Sequence, residues 1–201
     1  MSHDKHQEFF DRLAEEWDLH YAAEDLERLS HIVGGIKIEP GSDILDLGCG
    51  TGILFDMMRR RVGTEGSITG VDFALQMALK AHRNFPFENV SVVDCDASRL
   101  PFTDHCFDLC VAFGSFAHFS DKAAAIEETH RVLKPGGRFY IIHLTSSKDL
   151  AAAHRRVGGA VEHDEIPTRE RLTNMFESSR FKDVSIEDHT GLFLVTAINS
   201  D

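Results

Sequence analysis

"DILDLGCGTG", Asp43 to Gly52, sets an apolar run directly against three glycines, Gly48, Gly50 and Gly52. A short apolar run bounded by turn residues is how a strand buried on both faces is written. Glycine weakens regular structure, so a cluster beyond the strand marks a tight turn or a place where a ligand nears the main chain. Outward from this turn the chain alternates. "SITGVD" (Ser67 to Asp72), "NVSVVDCD" (Asn89 to Asp96), "FDLCVAFG" (Phe107 to Gly114) and Gly137 to His143 read as further strands. Residues 51–61, 74–82 and 121–133 read as the helices between them, the last stopped by "KPGG" at 134–137.

Strands of this length separated by such helices predict parallel neighbours joined by right-handed crossovers. A polar, histidine-containing stretch follows, then a helix over 169–177 with Thr168 as its cap. "DVSIEDHTGLFLVTAI", Asp183 to Ile198, supplies two strand runs joined at Thr190 and Gly191, a hairpin signal. The expected fold is therefore α/β: a doubly wound, mostly parallel seven-stranded sheet with helices on both faces and a C-terminal antiparallel hairpin. One domain is expected over 1–201, with a helical segment at 1–35, a core at 40–143 and a remainder at 144–201. The helical segment carries Phe9, Phe10, Leu13 and Trp17, then Leu26, Leu29, Ile32 and Val33, at spacings of three and four.

Composition narrows the partners. Of 201 residues, 42% are hydrophobic and 27% charged, and no segment approaches the roughly 18 apolar residues of a membrane span. The acidic, amphipathic start lacks the pattern of a secretory signal, so the cytoplasm is the expected compartment and no membrane partner is expected. Cys49, Cys95, Cys106 and Cys110 show no CxxC spacing and read as reduced thiols. A net charge of −12 repels nucleic acid, and "MMRRRVG" at 57–63 reads as the cationic last turn of a helix. A small-molecule partner and a monomer or homodimer are expected.

Open parallel sheets bind ligands at the carboxyl ends of their strands, which is where Gly48 to Gly52 fall. A dinucleotide fingerprint would need a third glycine where Ile53 stands, which argues against NAD. Asp46, two residues before the first glycine, is also a poor neighbour for two phosphates. Each residue has a plain structural alternative: a helix cap for Asp72, a loop carboxylate for Asp96, a turn hydrogen bond for Asp46, and core packing for Phe73 and Phe113.

Taken together these motifs resemble the class I S-adenosylmethionine-dependent methyltransferases, within the methyltransferase type 11 group that includes the quinone-pathway C-methyltransferases. "ILDLGCGTG" is similar to that family's motif I. "GVDFA" resembles its second-strand motif, "VDCDASRLPF" the third, "FDLCVAFGSFAHF" the fourth and "RVLKPGGRFYII" the fifth, in order over about 40–143. The resemblance implies S-adenosylmethionine as cofactor, with S-adenosylhomocysteine as product. It assigns Asp72 to the ribose hydroxyls and Asp96, beside Ala97, to the adenine amino group. Asp46 and the carbonyls near Phe113 and Gly114 suit the ammonium, Gly48, Cys49, Gly50 and Gly52 form the cradle, and Phe73 lies against the adenine.

Methyl transfer from a sulfonium needs alignment first and a base only where the acceptor must lose a proton. His118 and His143 end the fourth and fifth strand units and are the expected catalytic histidines. Phe9, Trp17 and Tyr21, from a start "FFDRLAEEWD" that also resembles the quinone-pathway enzymes, are expected to form a substrate-side lid with His154 and His163. No resident metal is expected, the alternative being an acceptor held by a metal on His143, His154, His163 and Asp164. A noncatalytic cofactor-binding or regulatory protein is the competing reading.

Overall fold

The computed structural model describes residues 3–200. At the centre lies β1 (Asp43–Leu47), whose residues point alternately to the two faces of the sheet. Leu45 and Leu47 join one buried cluster, while Ile44 joins the other. Parallel neighbours flank it on both sides: β2 (Ser67–Asp72) and then β3 (Val90–Asp94) on one, β4 (Phe107–Phe113) and then β5 (Leu133–His143) on the other. The C-terminal β6 (Phe181–His189) and β7 (Leu192–Asn199) form an antiparallel hairpin, with β7 inserted next to β5. The order β3-β2-β1-β4-β5-β7-β6 confirms the expected seven-stranded arrangement. Chain order reverses between β1 and β4, so a crevice opens at their carboxyl ends.

Helices cover both faces. α2 (Ala23–Gly35), α3 (Phe55–Val62) and α4 (Leu75–Asn84) bury Leu29, Met58 and Ala81 in the cluster that contains Ile44. α5 (Lys122–Val132) and α7 (Arg169–Ser178) bury Ile126 and Phe176 in the other. α1 (His3–Leu13) continues into a 3₁₀ segment, Ala14–His20, and this N-terminal unit packs on α4 through Phe10, Ala14 and Met77.

Three details depart from the sequence expectation. The helix after β1 starts at Phe55 and not at Thr51, because Gly52 holds φ +89°, a left-handed conformation that no helix turn contains. The fifth strand begins at Leu133, which pairs with Phe107 before a register irregularity carries the chain past "KPGG" to the regular pairing of Arg138 with Leu109. The polar stretch after His143 holds a helix, α6 (Ser147–Val157), capped by Ser146, whose side chain accepts from the Asp149 amide.

Gly70 shows how tightly β2 and α3 meet. A Cβ there would stand 2.4 Å from the Phe55 ring and 2.8 Å from Cys49 Sγ. Gly70→Ala is expected to destabilise the fold by about 1–3 kcal/mol through overpacking. Gly34→Ala, which meets open space in α2, is expected to stabilise it by about 0.5–1 kcal/mol. Urea unfolding of the two variants checks both signs.

Candidate functional site

The turn after β1 is held by main-chain bonds. The amides of Gly48 and Cys49 both donate to Val71 O, at 2.8 and 2.9 Å. Gly48 has φ +68°, and a Cβ on it would lie 2.4 Å from Ser115 Cβ, so only glycine lets the turn close against the end of β4. Ser115 seals that approach by donating from Oγ to Leu47 O at 2.6 Å.

Carboxylates mark the three strand ends. Asp72, at the end of β2, accepts from the Gly50 amide at 2.8 Å with one oxygen and from the Ala74 amide at 2.9 Å with the other. It therefore ties the glycine turn to the turn after β2, as a structural carboxylate does. Each oxygen retains a further lone pair for a ligand. Asp96, beyond β3, accepts from the Ser98 amide and hydroxyl, both at 2.7 Å. Asp46 differs from both. It is buried in β1, and its Oδ2 has no hydrogen-bond partner.

These environments alter the acids. Burial, with the nearby charge of Asp72, pushes the Asp46 carboxyl up to about 8. Burial also raises Asp72, to about 6, although the two amide hydrogen bonds pull it down. An unsatisfied buried carboxylate is costly, and a cation reaching it would relieve that cost.

Two cavities meet at this rim. The inner one, of about 60 Å³, lies between the glycine turn and the N-terminal unit, and is lined by Phe10, Trp17, Tyr21, Ile53, Phe113 and Gly114 among others. The outer one, of about 290 Å³, is lined by Cys95, Asp96, Ala97, Lys122, His163 and Asp164 among others. Gly48, Asp72, Phe73, His118 and Phe119 line both. The Trp17 indole stands 3.5 Å from where a Cβ on Gly50 would be, and the Tyr21 hydroxyl 3.7 Å from one on Gly114. Asp18 accepts from the Thr51 hydroxyl, and Lys80 Nζ donates to Ala14 O at 2.9 Å, tying the unit to the cleft wall.

His118 stands in the wall shared by the cavities. Its Nδ1 lies 2.6 Å from Asp164 Oδ2. An ionised carboxylate only accepts, so Nδ1 carries the hydrogen and Nε2 the lone pair of the neutral ring. Burial holds the imidazole below its ordinary value, against the raising effect of Asp164. Asp164, a ligand only in the alternative metal-held-acceptor reading, is here the acceptor that orients His118. Sequence reasoning missed this pairing, which spans 46 positions.

Other expected residues lie elsewhere. His143 is buried, lines neither cavity, and has an Nε2 without a hydrogen-bond partner. Burial drives it down to about 3. It packs edge-on to Phe193, its register partner on β7. His154 is likewise buried and lines neither cavity; its Nδ1 donates to Asp164 O at 2.6 Å. Phe9 packs against the N-terminal cluster without lining either cavity, and Phe10, one residue on and about 100° around the helix, takes the cavity position. His163 is exposed at the outer rim. Among the described residues, no three His, Cys, Asp or Glu side chains are arranged to hold a metal ion, so the set His143, His154, His163 and Asp164 does not form the alternative site.

Comparison with known proteins agrees with this geometry. A profile described as a methyltransferase domain matches residues 45–141. A demethylmenaquinone methyltransferase of Listeria monocytogenes is 30% identical over 183 residues, covering 78% of this chain and 76% of that protein. The chain belongs to the class I S-adenosylmethionine-dependent methyltransferase family. A demethylmenaquinone methyltransferase of Staphylococcus epidermidis is 37% identical to this family member over 109 residues, 53% of the chain. The chain spans less than half of that relative, 45% of its length. In fold, this methyltransferase-family chain matches one from the complex between the Haloferax volcanii Trm112 methyltransferase activator and a methyltransferase. The TM-score is 0.80 at 19% identity, over 96% of this chain and 98% of that one.

The residues fit the family's cofactor. Among the described residues the inner cavity has no Lys or Arg lining it and does have Asp72, with Asp46 buried behind the turn. That donor set suits a sulfonium and an ammonium and offers nothing to a diphosphate.

The Asp46 carboxyl also makes stability depend on pH in a definite direction. A carboxyl that is higher folded than unfolded stabilises the fold below the unfolded value, 3.8, and that contribution is lost as pH rises through about 8. Asp46→Asn in the ligand-free protein is therefore expected to be more stable than wild type at pH 8, by about 2 kcal/mol, and nearly equal to it near pH 4. Calorimetric unfolding at the two pH values checks this; a variant less stable at pH 8 would contradict it.

Proposed function

We propose that this chain transfers a methyl group from S-adenosylmethionine to a small hydroxylated aromatic acceptor of the quinol type, by in-line displacement, with His118 as the base. The observation that carries the cofactor is the partnerless oxygen of Asp46 behind a glycine turn whose neighbouring strand end carries Asp72. Asp46 would meet the ammonium, Asp72 the ribose hydroxyls and Asp96 the adenine amino group, with Phe73 and Ala97 on the outer cavity wall beside the ring. When bound, the cofactor supplies a carbon already activated by its sulfonium, so the chain's task is alignment at about 3 Å and exclusion of water.

The N-terminal unit would serve as the lid. With the unit closed, the inner cavity is room for only a few waters, so entry of an amino-acid-sized group requires Trp17 and Tyr21 to move. Phe10, Trp17, Tyr21, Phe113 and Phe119 give the acceptor side aromatic walls, which favour a flat ring. His118 Nε2 would take the proton of the acceptor hydroxyl as the ring or its oxygen attacks the methyl carbon. Asp164, fixed on Nδ1, stabilises the imidazolium so formed. The names of the Listeria and Staphylococcus relatives support a quinol-type acceptor.

Incubation with methyl-labelled S-adenosylmethionine and a panel of hydroxylated naphthoquinols tests this directly. Label is expected in the aromatic product, with equimolar S-adenosylhomocysteine. Cofactor binding without turnover on the whole panel would favour the noncatalytic reading. His118→Gln is expected to lower kcat by about 10²–10⁴-fold while leaving S-adenosylhomocysteine affinity unchanged. Because burial holds His118 below its ordinary 6.5, wild-type kcat/KM should stay flat through neutral pH and fall only on acidification below that value.

A further inference from the structure

Asp164 is a meeting point for three histidines from three separate elements. His118, from the short 3₁₀ turn Phe116–His118 after β4, donates to Oδ2 at 2.6 Å. His154, from α6, donates to the main-chain carbonyl at 2.6 Å. His6, from α1, places Nε2 3.0 Å from both carboxylate oxygens, across 158 positions of chain. Each partner on Asp164 is an acceptor, so His6 is protonated on Nε2, and His118 and His154 on Nδ1. The carboxylate is largely shielded from water, at 13% exposed, so an oxygen without a donor there is costly.

The ties of the N-terminal unit fall on two walls of the cleft. Asp11 accepts from the Gln76 amide at 2.7 Å and Glu15 pairs with Arg83 at 2.8 Å, both on α4. His6 reaches the opposite wall, the loop before α7, and Phe10 stacks edge-on to the His118 ring with centroids 4.9 Å apart. The segment that covers the cleft is therefore bonded to the carboxylate that orients His118.

We propose that His6 is a positioning residue: closure of the N-terminal unit brings its Nε2 hydrogen onto Asp164, pins the plane of that carboxylate, and so fixes His118 in the tautomer that leaves Nε2 able to accept a proton. This rests on the reading of His118 as the base. It makes the base complete only when the cleft is covered, so proton removal and exclusion of water are linked in one movement. A carboxylate with only His118 and solvent as side-chain partners could rotate about its bond; one bridged on both oxygens by a second imidazole is held. Around this node the titratable and charged groups are Lys122, Glu165 and Arg171 on the rim side, and His154 and His143 behind it. Lys122 itself is tied, donating to Phe119 O at 2.9 Å.

The test uses the full chain with saturating S-adenosylhomocysteine and needs no turnover. Trp17 is the chain's single tryptophan and lies over the glycine turn, so its emission reports closure. Imidazole nitrogen NMR reports the tautomer and titration of His118. In His6→Ala, α1 amides should exchange about tenfold faster and Trp17 emission should shift to the red. His118 should titrate higher than in wild type, because burial and the neighbouring His6 both hold it down when the unit is closed. His6→Gln, which keeps an N–H donor, should recover most of each change. A unit that opens in His6→Ala while His118 keeps its wild-type tautomer and midpoint would overturn the proposal, as would an unchanged Trp17 spectrum. A failure of methyl transfer to every acceptor would instead overturn the proposed function, leaving these readouts as they are.

Discussion

A carboxylate buried inside a parallel sheet is the constraint on which this site turns. Asp46 occupies the central strand at the point where strand order reverses, and it gets there because β1 alternates, sending Leu45 and Leu47 to one face and Asp46 with Ile44 to the other. No side chain or amide satisfies its second oxygen. An apolar residue would suit the packing better; the fold meets the cost of the buried group by holding the carboxyl neutral, which leaves its second oxygen open to a partner from outside. Asp72 lies close enough to raise it further. A pair of acids held this way is poorly matched to anions and well matched to a ligand that brings an ammonium and hydroxyl donors.

The remainder of the cleft arranges access to that pair. Gly48 lets the turn press on β4, and Ser115 and the Val71 carbonyl hold it there. The N-terminal unit covers the opening with aromatic side chains on one wall and a histidine on the other. Coverage and chemistry thus share residues: Phe10 touches the His118 ring, and His6 shares its carboxylate. If His118 is the base, as proposed, the movement that admits a ligand would also loosen the carboxylate that orients it, so that proton removal and exclusion of water go together.

Much of this was legible in the order of residues. The strand–glycine–helix alternation and the acids at strand ends are local patterns, and they survive intact in the structure, as does the closing hairpin. What escaped was of two kinds. Local misreadings came from backbone details: the φ of Gly52 delays α3, and α6 was passed over because its alanines and charged residues, not an apolar stripe, dominate Ser147–Val157. Its cap, Ser146 with Asp149, was the signal available. The second kind was long-range. His143 ends a strand at the rim in sequence, yet β7 packs beside β5 and buries it against Phe193. His6 and Asp164 gave no local sign of each other, since a contact over 158 positions is set by how α1 crosses the cleft and not by any periodicity.

Burial and Asp72 hold the Asp46 carboxyl at about 8, and in the proposed function it ionises when the cofactor ammonium arrives. Isothermal calorimetry of S-adenosylhomocysteine binding near pH 7, repeated in buffers of different ionisation enthalpy, measures this directly. A substantial fraction of one proton should be released per ligand bound, and this release should be lost in Asp46→Asn, because a carboxyl held at about 8 must ionise when the ammonium arrives. Binding of equal affinity in both proteins, with no proton released in either, would contradict it.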